Sequence, residues 1–287
     1  MTLAVCTAII SSTLQTPSPI EELQVLKDLF DFDCNLTHED LILDVEATMQ
    51  RGAAVGVAEM LVPGATLEES RAAIDLCRKY PNTLSPTAGV HPYNALALPT
   101  DAELAALNEL AHLDECRAVG ECGLDYSPSF PDPALQKEKP LFLHERLAHA
   151  DFMALIKSCQ QQQVDGYFPP AVVHCFTGNA QELRAYVAEG FYIGVTGFIC
   201  KKEQGAPLRE MVRDIPLHKL VIETDAPYMG FPKCRRHEPS NPKKQYPNVP
   251  SALPLVAEVI ATALGKTPQE IATITRANAR RFLRLSV

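Results

Sequence analysis

The chain has 287 residues, of which 46% are hydrophobic and 21% charged, with a net charge of −9. That is the composition of an ordinary soluble globular protein, long enough to bury a large core. It excludes a membrane-spanning chain, since no run approaches ~18 apolar residues, and it speaks against a nonspecific nucleic-acid binder, because phosphate backbones attract Lys and Arg. Local patches and bound cations can still reverse the field near a site.

Met1 to about Pro19 turns rich in Ser, Thr and Pro and reads as a loosely attached extension, which runs on to residue 29, just before the first expected strand. The first basic residue is Lys27, so neither a secretory signal nor an Arg-rich transit peptide is supported. The nine cysteines are odd in number and contain no Cys-x-x-Cys pair. Scattered thiols of this kind fit a reducing compartment, cytoplasmic or nuclear.

Strand and helix patterns alternate from residue 30 to 287, which form a single domain. Phe30–Asp33 is the first expected strand, followed by a helical stretch from near Thr37 to Arg51. Gly56–Val62 is the second strand. A helix over Thr66–Tyr80 follows, with Thr66 as its cap and Glu68 and Glu69 in its first turn. Thr83–Val90 is a third, weaker strand, and Asp101–Leu113 is helical. Cys116–Leu124 and Leu141–His144 are the fourth and fifth strands, with a helix over Ala148–Gln163 behind them. Ala171–His174 is the sixth strand. The next helix, Ala180–Glu189, stops at Gly190. Phe191–Val195, a short helix over Leu208–Arg213, and Leu220–Glu223 complete eight strands. Helices near Ser251–Leu264 and Pro268–Leu285 close the chain.

Strands alternating with helices predict a parallel sheet, and eight of them predict a closed (β/α)8 barrel. The Gly-rich fingerprint of a doubly wound sheet is missing after the first strand. Residues 126–139, with Pro131 and Pro133, leave room for only a stunted fourth helical unit.

The chemistry gathers at strand ends, which in a barrel of this type share one face. His144 and His174 each close an apolar run, as do Glu121 and Asp225. A lone histidine there is more often structural, but four ligand-type residues in matching positions point to a metal. Imidazole with carboxylate suits zinc, manganese, iron or, with more oxygen, magnesium. Two such ions bridged by a carboxylate can clamp the attacking and leaving oxygens of a phosphodiester. Asp33 and Asn35, one residue apart, would face the same way on a strand. A strand-ending Asx turn is the alternative. His91 precedes Pro92 and is held extended, facing the pocket or hydrogen-bonded within its loop. Arg146 can grip phosphate or pair with Glu145, and His149 lies beside it. Residues 233–244 carry five Lys or Arg, including Lys233, Arg235 and Arg236. Tyr228, Phe231 and Tyr246 add aromatic surface on which bases can stack. A solvated basic loop is the competing explanation.

Together these segments resemble the TatD family of metal-dependent nucleases, within the amidohydrolase-like barrels. The resemblance is carried by Asp31-Phe-Asp-Cys-Asn-Leu-Thr37, Gly89-Val-His-Pro92, Gly120-Glu-Cys-Gly-Leu-Asp125, Phe142-Leu-His-Glu-Arg146, His174-Cys-Phe-Thr-Gly178, Glu223-Thr-Asp-Ala-Pro-Tyr228 and Asn278-Ala-Arg-Arg-Phe282. It implies one or two divalent ions, Mg2+ first and Mn2+ or Zn2+ as alternatives, and hydrolysis of DNA or RNA from the 3′ end. It also implies that Glu121 bridges the ions, that His144 and His174 bind one, and that Asp225 is both ligand and proton acceptor. Many members carry His-x-His where this chain has Asp33 and Asn35, which implies a weaker first site. A small-molecule amidohydrolase or lactonase on the same barrel, and a variant impaired by its short fourth unit, are the rival readings.

Overall fold

The computed structural model describes residues 26–94, 100–125, 140–161 and 168–286. Its elements follow the expected alternation. β1 (Leu29–Asp31) leads through α1 (Glu39–Ile42) and α2 (Val45–Ala54) to β2 (Val57–Val62). Next come α3 (Leu67–Lys79), β3 (Leu84–Ala88), α4 (Asp101–His112), β4 (Ala118–Asp125) and β5 (Leu141–Arg146). The second half runs α5 (His149–Gln161), β6 (Ala171–Val173), α6 (Ala180–Ala188), β7 (Tyr192–Val195), α7 (Ala206–Met211), β8 (Leu220–Ile222), α8 (Leu253–Leu264) and α9 (Pro268–Phe282).

All eight strands are parallel neighbours in chain order. The two outer strands then meet through their ends. The Phe32 N–H donates to the Ile222 carbonyl at 3.0 Å, and the Asp225 N–H to the Asp33 carbonyl at 2.9 Å. The Asn35 N–H reaches the Ala226 carbonyl at 2.8 Å. These bonds close the sheet into the expected barrel.

Strand side chains divide by alternation into two apolar clusters. Phe30, Phe32, Leu61, Phe142, Val172, Tyr192 and Val221 meet one another and fill the interior. Ala279, Phe282 and Leu283 of the last helical segment join them from below. The Phe282 ring sits 5.5 Å from Phe32 and 5.1 Å from Tyr192, edge-on to both. The alternate residues, among them Leu29, Met60, Leu143, Val173 and Ile222, face outward and pack under the helices. At ~25 cal/mol per Å² of apolar surface removed from water, these two clusters dominate the fold's stability.

Local signals explain where the helices begin. Thr66 accepts the Glu69 N–H at 3.0 Å. Thr100 with Glu103, Asn179 with Glu182 and Thr267 with Glu270 form capping boxes on α4, α6 and α9. Some boundaries differ from expectation. β1 ends at Asp31 because the chain then turns to pair with the end of β8, so Asp33 and Asn35 lie beyond the strand. β5 continues through Arg146, since Leu124 and Asp125 of the longer β4 keep pairing with it. The helix expected over Leu208–Arg213 is divided into α7 and a 3-10 turn, Val212–Asp214. The shortened unit at 126–139 lies outside the described residues. No helix among the described residues is long and apolar enough to cross a membrane, and the eight described cysteines are all free.

Candidate metal centre

The site forms where β4 breaks register. Between Val119 and Cys122 the pairing with β5 shifts, so β4 carries one residue more than its neighbour. Such a bulge re-aims a side chain, here Glu121. Glycines flank it, Gly120 at φ 149° and Gly123 at φ 150°, where an L side chain is strained. A Cβ on Gly123 would overlap the His144 carbonyl oxygen. The close approach of β4 to β5 therefore needs glycine, and it brings Glu121 beside His144. The bulge is held from the other side as well. The Glu121 N–H donates to the Gly64 carbonyl at 3.0 Å, and the Thr87 hydroxyl donates to the Gly120 carbonyl.

One oxygen of Glu121 is the hub. Its Oε1 lies 2.6 Å from His174 Nε2, 2.8 Å from His144 Nδ1 and 3.3 Å from His91 Nε2. His144 Nδ1 is in turn 3.0 Å from His174 Nε2 and 3.3 Å from His91 Nε2. On its far side, His174 Nδ1 stands 3.0 Å from Asp33 Oδ2 and 3.7 Å from Glu223 Oε1. The close approach to Asp33 lacks hydrogen-bond geometry. Asp33 Oδ2, His174 Nδ1 and Glu223 Oε2 are all buried with no hydrogen-bond partner. Buried donor and acceptor atoms are seldom left so in a native site, and an ion is one standard reason.

Two groups of ligand atoms satisfy the spacing a cation needs: His91, Glu121 and His144, and Asp33, Glu121 and His174. Within each group the atoms lie within 4.8 Å of one another. Glu121 belongs to both.

The charges point the same way. Burial, with repulsion from neighbouring carboxylates, pushes the carboxyls of Asp33, Glu223 and Asp225 above their ordinary range. Burial opposes the charge on Glu121 too, but the imidazoles of His174, His91 and His144 outweigh it and hold that carboxyl well below the usual range. Crowded carboxylates with mutual repulsion are relieved by a cation. The donor set of imidazole nitrogens and carboxylate oxygens fits a divalent metal.

Not every expected residue joins the cluster. Glu121, His144, His174 and Asp33 converge, and His91 does both things expected of it: its Nδ1 accepts the Tyr93 N–H within the loop at 3.1 Å, while its Nε2 faces Glu121. Asn35 stands behind, its Nδ2 3.5 Å from Asp33 Oδ1. Asp225 is half-buried with φ 55° and lies outside both ligand groups, although its charge acts on Asp33. Arg146 is exposed at the end of β5. Glu145 is occupied by the Ala148 N–H and the Tyr186 hydroxyl, at 2.8 and 2.6 Å. His149 bonds the same hydroxyl at 2.8 Å. Tyr228 is half-exposed and edge-on to His38. In the basic loop, Lys233 is exposed. Arg235 is buried and donates to the Pro247 and Ser240 carbonyls, while Arg236 pairs with Glu258 at 3.5 Å. Phe231 is buried and offers no stacking surface.

Two residues of the site escape a reading of the sequence. Glu223 was visible only as an acid two places before Asp225. Asp31 is fully buried and accepts both the N–H of Thr224, at 2.7 Å, and its hydroxyl, at 2.6 Å. Burial raises its carboxyl to about 7 despite those bonds. It ties β1 to the turn carrying Glu223 and Asp225.

A family model described as TatD related DNase matches residues 30–284. The 3′-5′ ssDNA/RNA exonuclease TatD of Salmonella typhimurium is 38% identical over 265 residues, covering 88% of this chain and 97% of that one. Its counterpart from Citrobacter rodentium is 36% identical over 272 residues, covering 90% and 99%. Among solved structures, a TatD-family hydrolase from Entamoeba histolytica superposes with a TM-score of 0.75 at 25% identity, covering 90% of this chain and 98% of that one.

Proposed function

This chain belongs to the TatD-related DNase family, and from that membership we propose that it is a metal-dependent exonuclease that shortens single-stranded DNA or RNA from the 3′ end. The observation that carries the proposal is the Glu121 oxygen shared by two ligand-type groups, in a chain whose relatives bear that activity in their names.

His91, Glu121 and His144 would hold one divalent ion, and Asp33, Glu121 and His174 the other, with Glu223 behind His174. Bound there, Mg2+, Mn2+ or Zn2+ supplies Lewis acidity that neutralises phosphate charge and acidifies water. The remaining work belongs to the chain. Asp225 accepts the proton of the attacking water. Arg146, exposed beside His144, holds a phosphate of the strand through its planar guanidinium. Lys233 attracts the strand, and Tyr228 offers a face for a base. Arg235 instead holds the basic loop in shape. Cytoplasmic or nuclear residence is supported by the free thiols.

The test uses purified chain stripped with chelator, then given Mg2+, Mn2+ or Zn2+ with single strands labelled at either end. Divalent-dependent loss of nucleotides from the 3′ end is expected. Glu121→Gln should reduce it by at least about 100-fold, since removing even groups behind metal ligands costs 10–100-fold. Absence of divalent-dependent cleavage, or cleavage indifferent to Glu121→Gln, overturns the proposal.

A further inference from the structure

Seven large apolar or aromatic side chains are exposed among the described residues, and three of them, Tyr93, Leu147 and Tyr228, come shortly after the C-terminal ends of β3, β5 and β8. Leu217 instead lies just before β8.

Leu147 is the most telling of them. It is 76% exposed with φ 58°, three residues past His144. A γ-branched side chain in left-handed backbone, facing water, is disfavoured on both counts. It is held there by a built support. The Glu145 carboxylate accepts the Ala148 N–H at 2.8 Å and so closes the turn around Leu147. The buried Tyr186 of α6 donates to the same carboxylate at 2.6 Å, and His149 bonds that hydroxyl. Strain that its surroundings over-determine is characteristic of a working position.

Tyr93 adjoins the cluster through His91. Its ring stacks on His91 at 5.4 Å with the planes 11° apart, and the residue is 53% exposed. His91 Nε2 is 3.3 Å from His144 Nδ1. Tyr93 thus follows β3 and Leu147 follows β5, the two strands on either side of β4, which carries Glu121.

We propose that Tyr93 and Leu147 form an apolar lip that takes the base of an unpaired 3′-terminal nucleotide. The inference rests on the nuclease reading above and names the residues that select unpaired ends. A base stacks on aromatic or aliphatic surface whatever its identity. A 3′-terminal base held in a duplex is paired and stacked on its inner neighbour, so it must unpair before it can turn out to the lip.

The test measures binding by the full chain, in Mn2+, of a 5′-labelled single strand with a hydrolysis-resistant terminal linkage, and of the same strand lacking its 3′-terminal base. The intact strand should bind about tenfold more tightly. Tyr93→Ala and Leu147→Asn should each bring that ratio towards one, asparagine being tolerant of left-handed backbone. Leu147→Gly relieves the backbone and covers the case in which asparagine unfolds the turn. Leu217→Asn, at the opposite end of the barrel, should leave the ratio unchanged. Equal binding of the two strands by the unaltered chain, or a ratio that survives Tyr93→Ala and the Leu147 variants, overturns the lip. So does a concentration-dependent dimer that Leu147→Asn dissolves, which would assign Leu147 to a contact between copies. Failure to cleave ordinary strands with any divalent ion removes the nuclease reading but leaves the measured base discrimination standing.

Discussion

Asp31 shows how a residue that touches no substrate can govern a site. Its two oxygens take both polar groups of Thr224, one residue from Glu223 and one from Asp225. Asp31→Ala leaves the buried Thr224 N–H unpaired, at a cost of about 1–3 kcal/mol. Urea unfolding should show that loss, and calorimetric titration with Mn2+ should show weakened affinity as Glu223 and Asp225 drift. Asp31→Asn keeps an acceptor for the N–H and should recover part of both. Unchanged Mn2+ affinity in Asp31→Ala would mean that β8 holds its end without help from β1. The ligand-type residues at strand ends were legible in the sequence because each closes an apolar run. Asp31 was not, because an acid inside such a run looks the same whether it is solvated or buried.

Among the elements, the β4 bulge does most to shape the site. Gly123→Ala places a methyl group against the His144 carbonyl in backbone that resists it. The variant should lose about 1–3 kcal/mol in urea unfolding. It should also bind Mn2+ less tightly, because β4 can relieve the overlap only by moving away from His144. At the other end of the fold, Glu270 accepts the Thr267 N–H at 2.8 Å in the capping box of α9. These bonds hold its carboxyl below the ordinary 4.5. A lowered carboxyl stabilises the fold above the ordinary value, and that contribution fades as pH falls through the lowered one. The urea midpoint of Glu270→Gln should therefore fall below that of the unaltered chain at pH 7, and the gap should narrow in acid. The eight strands and their helices were legible because period-2 and period-3.6 patterns with capping residues mark them locally. The bulge was not, since register depends on two strands at once. Nor was the duty of Arg235, whose carbonyl partners come from a loop with no pattern of its own.

Taken whole, the molecule gathers several carboxylates and three imidazoles, buried or half-buried, into one cluster, an arrangement that is costly until a cation shares it. Divalent ions should therefore act as folding ligands. At 100 times the dissociation constant, a bound ion adds about 2.7 kcal/mol, or roughly 5 °C in melting temperature for a chain of this size. Differential scanning calorimetry with Mn2+ and with chelator checks this. A melting point indifferent to both would argue against ions being held at the cluster.

The interior rings of Phe30, Phe32 and Phe142, with Phe282 wedged beneath them, make the barrel a blind-ended vessel. Nothing drains through its floor. Under the proposed exonuclease reading, the strand would enter and each released nucleotide would leave on the one face that carries the carboxylate–imidazole cluster.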